Sequence, residues 1–247
     1  MCGRYTLTDL DKFLQRQAWI RRAEATVLPP RFNVAPQQDV PAVVRDRESP
    51  GSGKLKQFRW GLVPSWAEDE TVGYRMINAR CEGVLEKPAF RRAMQKRRCL
   101  VPADAFYEWK KPARKGAPKQ PYAIRLRSEE PFAFAGLWEV WHDPRHADRP
   151  PLFTCTIITC EPNELVAPLH DRMPVILPES RYHAWLETEE VKPPEAARML
   201  GPYPASEMVV YPVDRRVGNV AYDDPTLLEP VEPDDGPAGK QDEPTLF

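Results

Sequence analysis

Runs in which β-branched and aromatic side chains alternate with polar ones mark extended segments at 40–45, 55–62, 99–109, 122–127, 132–141, 152–159, 173–177 and 208–213. Pro, Gly or Asp bounds them. Helical spacing of apolar positions predicts short helices at 9–18, 88–96, 163–167, 179–186 and 194–200, the first with Thr8 as its cap. The stretches 46–54 and 111–120 read as exposed loops. Strands outnumber helices and no strand–helix–strand rhythm recurs. The pattern therefore predicts an α+β fold with a mainly antiparallel, barrel-like mixed sheet and peripheral helices.

Composition sharpens the picture. The 247 residues include 29 prolines and 12 glycines. Each proline fixes φ and removes a backbone donor, so this density argues against a helix bundle or a parallel βα repeat. A mean hydropathy of −0.57 and the lack of a long apolar run argue against a helical membrane span. The opening residues, Met1 to Leu7, carry no apolar signal region, so a cytoplasmic location is expected. Cysteines at 2, 81, 99, 155 and 160 form no CxxC pair and read as thiols. His142 and His146 are spaced four apart, but Pro144 breaks the helix that would align them, so no metal is expected.

The formal net charge of −1 conceals an asymmetry. Residues 223–247 hold eight acids and one base, and taking away their −7 leaves +6 on residues 1–222. That last segment also has five prolines and no aromatic residue before Phe247. We expect a single domain over 1–222 and a disordered acidic tail over 223–247. A mildly basic body suits an anionic partner.

Four places combine reactive groups with apolar neighbours. Cys2 becomes the N-terminal residue if Met1 is trimmed, pairing an α-amine (pKa about 7.7–8.0) with a thiol (about 8.5); a chance small residue after Met1 is the alternative. Such an aminothiol condenses with aldehydes: the amine forms a Schiff base and the thiolate closes it to a five-membered thiazolidine. Glu108 ends a largely apolar run between Tyr107 and Trp109; desolvation there would raise its pKa toward acid–base duty, and a solvated strand end is the alternative. His170 and Arg172 flank Asp171, either as proton shuttle and anion holder or as a local salt bridge. Asn78 and Arg80 share one face of an extended segment, an amide beside a guanidinium. Tryptophans also interleave with cations at Arg59 to Trp66 and Phe106 to Lys111, a pattern that serves single-stranded nucleic acid or simply a core.

Six blocks in order resemble one family, the SRAP domain of SOS-response-associated peptidases. They are Met1-Cys2-Gly3-Arg4-Tyr5, Arg31-Phe32-Asn33-Val34-Ala35-Pro36, Arg59-Trp60-Gly61-Leu62-Val63-Pro64-Ser65-Trp66, Asn78-Ala79-Arg80-Cys81-Glu82, Cys99 to Pro102 with Phe106 to Trp109, and His170-Asp171-Arg172-Met173-Pro174. The resemblance spans about residues 2–220. It implies a barrel-like SRAP fold that binds single-stranded DNA and captures abasic sites through a thiazolidine between Cys2 and C1′ of the opened sugar. It implies Glu108 as acid and base, Asn78 as the group positioning the amine or sugar oxygen, and His170 as a second proton-transfer residue. Arg4, Arg80 and Arg172 would clamp phosphates, and Trp66, Trp109 and Tyr74 would stack or wedge. No cofactor is implied, peptidase activity is implied at least toward Met1, and a monomer near the nucleoid suffices.

The tail adds one partner. Gln241, followed by a terminal Leu246-Phe247 on an acidic tether, resembles peptides that dock on bacterial sliding clamps. Three rivals stand beside the SRAP reading, the most distant of them a zinc protein. Class II glutamine amidotransferases also begin Met-Cys-Gly, but this chain is short for their synthase domain. A nucleic-acid-binding module that never reacts is the non-enzymatic rival.

Overall fold

In the computed structural model, which describes residues 2–21, 28–112 and 118–233, fourteen strands and four α-helices alternate with 3₁₀ turns among the described residues. The first half comprises β1 (Tyr5–Leu7), α1 (Leu10–Gln15), β2 (Ile20–Arg21), β3 (Arg31–Val34), β4 (Asp39–Arg45), β5 (Gly53–Trp60), β6 (Asn78–Arg80), α2 (Pro88–Lys96), β7 (Arg98–Ala103) and β8 (Ala105–Lys110). The second comprises β9 (Gln120–Leu126), β10 (Phe132–Trp141), β11 (Leu152–Cys160), β12 (Met173–Pro174), β13 (Ile176–Leu177), α3 (Tyr182–Leu186), α4 (Pro193–Ala197) and β14 (Met208–Pro212).

The strands form two sheets. The larger runs β12-β11-β10-β7-β4-β5-β2, and a parallel pairing of β11 with β5 closes five of these strands into a ring. The smaller runs β14-β9-β8-β1-β3 and is antiparallel throughout. The sheet is thus mixed, mainly antiparallel and barrel-like, with the helices outside it. Tyr5 joins the two sheets in the core: its ring meets Trp60 edge-on at 5.3 Å and Phe134 at 5.8 Å.

The extended run 99–109 proves to be two strands. It breaks at Asp104, so that β7 stays in the barrel while β8 joins the smaller sheet. The Asp104 carboxylate takes the Thr6 hydroxyl on one oxygen and, on the other, the Thr8 N–H at 2.5 Å and the Thr8 hydroxyl at 2.8 Å. Thr8 is therefore not the cap of α1. Asp9 is, accepting the Lys12 N–H at 2.8 Å. The helix expected at 163–167 is a turn closed by the Asn163 side chain, which takes the N–H groups of Leu165 and Val166. The remaining helices and long strands fall within a few residues of their expected positions.

The domain boundary also moves. Residues 223–233 lie on the body: Asp223 accepts the N–H groups of Phe32 and Asn33 at the start of β3 and pairs with Arg31. Leu227 is fully buried against Tyr107, Val213 and Val217. Fixed acceptors and one buried leucine outweigh the acidic composition there. The clamp-like peptide at 241–247 lies outside the described residues.

Candidate active site

The site is built where β1, β6, β8 and the turn before β12 converge. β1 is flanked by β3 and β8, and its three residues are all buried. Cys2, just before it, is also fully buried. Its carbonyl accepts the side-chain N–H of Asn78 at 2.8 Å. Asn78 begins β6, which runs parallel to β11 with Asn78 opposite Ile157. Among the described residues, the other polar side-chain atom of Asn78, Oδ1, is buried without a hydrogen-bond partner. The same amide thus bonds the Cys2 backbone through its nitrogen and keeps an acceptor beside it.

Glu108 lies on β8 at 2% exposure. Strand alternation puts it on the same face as Phe106, toward the main core, and puts Tyr107 and Trp109 on the other. Burial pushes its carboxyl up to about 7. Its charge acts on the Cys2 thiol, which burial already holds well above the ordinary range. The thiol is thus protonated at neutral pH, within electrostatic reach of a carboxyl that titrates there.

His170 occupies the turn before β12, three-quarters buried. Burial holds its imidazole below the usual value, with Asp171 pulling the other way. Its Nδ1 accepts the backbone N–H of Arg172 at 3.0 Å, and Asp171 Oδ1 lies 2.9 Å from the same nitrogen. The negative charge of Asp171 also reaches Glu108, tying this turn to β8. Arg172 is 8% exposed and forks onto Glu82 at 2.6 and 2.9 Å, with a third bond to the Thr159 carbonyl at 2.7 Å. That fork holds Glu82 at about 2.

Asn78 therefore bonds Cys2, the charge of Glu108 reaches the Cys2 thiol, and the turn carrying His170 reaches Glu108 through Asp171. Arg4 is half-buried beside them, its Nη1 on the Gly3 carbonyl at 2.8 Å and its Nε buried without a partner. Arg80 is exposed and lines an open cleft with Glu82, Gly83, Lys87 and Arg172. Trp66 and Tyr74 are 63% and 65% exposed. The loop that carries them is pinned by Gly61, whose φ of +138° lies in the region glycine favours. A Cβ there would come within 2.6 Å of the Gly73 carbonyl oxygen. Trp109 packs half-buried against the small cluster that holds Tyr107 and Val213. Sequence reasoning missed Lys87, Glu82 and the Asp104 clamp. Glu82 stood within a quoted motif, but nothing in one dimension pairs it with Arg172, ninety residues away.

Among the described residues no three His, Cys, Asp or Glu side chains come together as a metal site, and no helix is long and apolar enough to cross a membrane.

Comparison with known proteins fits this geometry. A family model described as SOS response associated peptidase (SRAP) matches residues 1–220. Abasic site processing protein YoqW of Bacillus subtilis is 43% identical, over 93% of this chain and 99% of its own. Abasic site processing protein HMCES of chicken is 31% identical, over 88% of this chain and 70% of its own. A crystal structure of a protein from Bacteroides thetaiotaomicron superposes with a TM-score of 0.81 at 25% identity, covering 94% of this chain and all of that one.

Proposed function

The chain belongs to the SOS response associated peptidase (SRAP) family, and from that premise we infer that it processes abasic sites in single-stranded DNA by covalent capture through Cys2. The supporting observation is the pairing of a buried Cys2 with a Glu108 carboxyl raised to about 7. Relatives named for abasic site processing at up to 43% identity agree with it. The glutamine amidotransferase rival has no support in a family match that extends over residues 1–220.

The chemistry begins with loss of Met1, which frees the α-amine of Cys2. Asn78 holds the Cys2 carbonyl, and its unpartnered Oδ1 receives an N–H of that amine. The amine adds to the C1′ aldehyde, giving a carbinolamine. Glu108, as the acid, protonates the departing hydroxyl, and water leaves as the Schiff base forms. Glu108, now a carboxylate, takes the Sγ proton. The thiolate Sγ bonds to C1′ as the C=N electron pair returns to the nitrogen, which has kept one proton throughout, so Glu108 ends as the acid it began and the net change is loss of one water. Burial favours each step: the thiol stays protonated until a substrate is bound, and the carboxyl titrates near the working pH. His170 serves as the second proton-transfer group. The thiazolidine removes the aldehyde that would otherwise promote β-elimination of the strand. Peptide hydrolysis, the activity in the family's name, is needed only at Met1.

Arg4 and Arg80 supply phosphate contacts and Trp66 and Tyr74 stacking, with Trp109 supporting β8 from behind; Arg172 meets phosphate only in competition with Glu82. The chain acts as a monomer. A second partner, a sliding clamp, would dock on Gln241 to Phe247. Clamp retention that survives deletion of Leu246 and Phe247 would remove that partner. The main reading is tested by heat-stable attachment to an oligonucleotide that requires both Cys2 and the lesion.

A further inference from the structure

Nδ1 of His170 faces two claimants. The Arg172 N–H donates to it at 3.0 Å, and the Asp171 carboxylate lies 2.9 Å away. One nitrogen cannot satisfy both, because it carries either a lone pair or a proton. With the lone pair on Nδ1, the Arg172 N–H is satisfied and the neutral ring keeps its proton on Nε2. With the proton on Nδ1, Asp171 accepts it, and a neutral ring leaves the lone pair on Nε2. The position of one backbone amide thus decides whether His170 offers the site a donor or a base.

That amide is held by its own side chain. Arg172 Nη1 and Nη2 grip Glu82, and Nη2 also reaches the Thr159 carbonyl. Arg80 pairs with Thr159 across β6 and β11, so Glu82, two residues further on, belongs to the frame that carries Asn78. We propose that Glu82 is a positioning residue for the capture reaction: through Arg172 it keeps a backbone N–H on Nδ1 of His170 and so fixes the Nε2–H tautomer. This rests on the reading of His170 as a proton-transfer residue. Nε2–H then donates to the sugar oxygen or to the departing hydroxyl, leaving Glu108 as the only base for Sγ. Without Glu82 the Arg172 amide drifts, Asp171 captures an Nδ1 proton, and Nε2 competes with Glu108 as an acceptor.

Imidazole ¹⁵N NMR on the full chain without DNA reads the tautomer, with His170→Gln supplying the assignment. Wild type should show a pyridine-like Nδ1 and a pyrrole-like Nε2. Glu82→Ala should shift or average these signals with little change in thermal stability, since the Glu82 side chain is 52% exposed. Capture of a single-stranded abasic oligonucleotide at saturating DNA should slow about 10- to 100-fold, as when other residues that orient a histidine are lost. The same substitution in a His170→Gln background should add little. Glu82→Gln, isosteric and with one acceptor left for Arg172, should be intermediate in tautomer and rate. An unchanged His170 tautomer in Glu82→Ala overturns the proposal, as does a changed tautomer with an unchanged rate. Failure of the wild type to capture the lesion would remove the functional reading instead, and the two failures are distinguishable because the tautomer is read without DNA.

Discussion

The side-chain N–H of Asn78 donates to the Cys2 carbonyl at 2.8 Å while its Oδ1 stays buried and unpartnered. One amide therefore holds the Cys2 backbone and, in the proposed reaction, offers an acceptor to the amine that loss of Met1 would free. In Asn78→Ala the loss of a buried bond worth about 1–3 kcal/mol should slow capture roughly 5- to 150-fold. Single-turnover kinetics at saturating DNA check this. A rate within twofold of wild type would show that Asn78 does not position Cys2.

Glu108 couples chemistry to stability. Its carboxyl rises from 4.5 to about 7 on burial, so between those pH values the folded chain binds more protons than the unfolded one. Stability from this group therefore falls as pH rises from about 4.5 to 7, by an amount on the order of a few kcal/mol. Glu108→Gln should flatten that fall and melt higher than wild type at pH 8, while capture drops by about 10²-fold or more. Melting curves at pH 5 and 8 read the sign directly.

Asp104 holds three donors from Thr6 and Thr8 at the point where β1 meets the break between β7 and β8. Asp104→Ala should cost about 2–4 kcal/mol of stability, since hydrogen bonds to a charged group are worth roughly 1.5–3 kcal/mol each and are not additive. Denaturant unfolding checks the loss. Capture should weaken through β1, with the Glu108-dependent pH profile retained.

The exposed aromatics give a separable effect. Trp66→Ala and Tyr74→Ala should leave melting unchanged, because both rings already face solvent. Each should weaken binding to undamaged single-stranded DNA by about 1–3 kcal/mol. Lys87→Ala, in the cleft beside Arg80, should instead lower the salt dependence of binding by about one unit of slope. Fluorescence titration at several salt concentrations separates the two.

Much of this was legible in one dimension. The alternation at 132–141 and the periodicity at 88–96 fixed β10 and α2 to the residue. Cys2, Asn78, Glu108 and His170 were read from their motifs; Asn78 bonds the Cys2 carbonyl and the charge of Glu108 acts on its thiol. The misses share a cause, which is that long-range polar contacts leave no local pattern. Asp104 splits an apolar run that reads as one strand because Thr6 and Thr8, nearly a hundred residues away, claim its carboxylate. The acidic stretch from Asp223 looks like a tail until Asp223 is seen capping β3. Short strands such as β1 and β6 owe their form to their neighbours in the sheet.

The most direct test is the intact mass of the denatured product formed with a single-stranded oligonucleotide bearing one abasic site. The expected species weighs the protein without Met1, plus the oligonucleotide, minus one water. It should survive heating and be absent with Cys2→Ala or undamaged DNA. A protein with a free N-terminal cysteine that gives no such species, or gives it equally from Cys2→Ala, would contradict capture through Cys2.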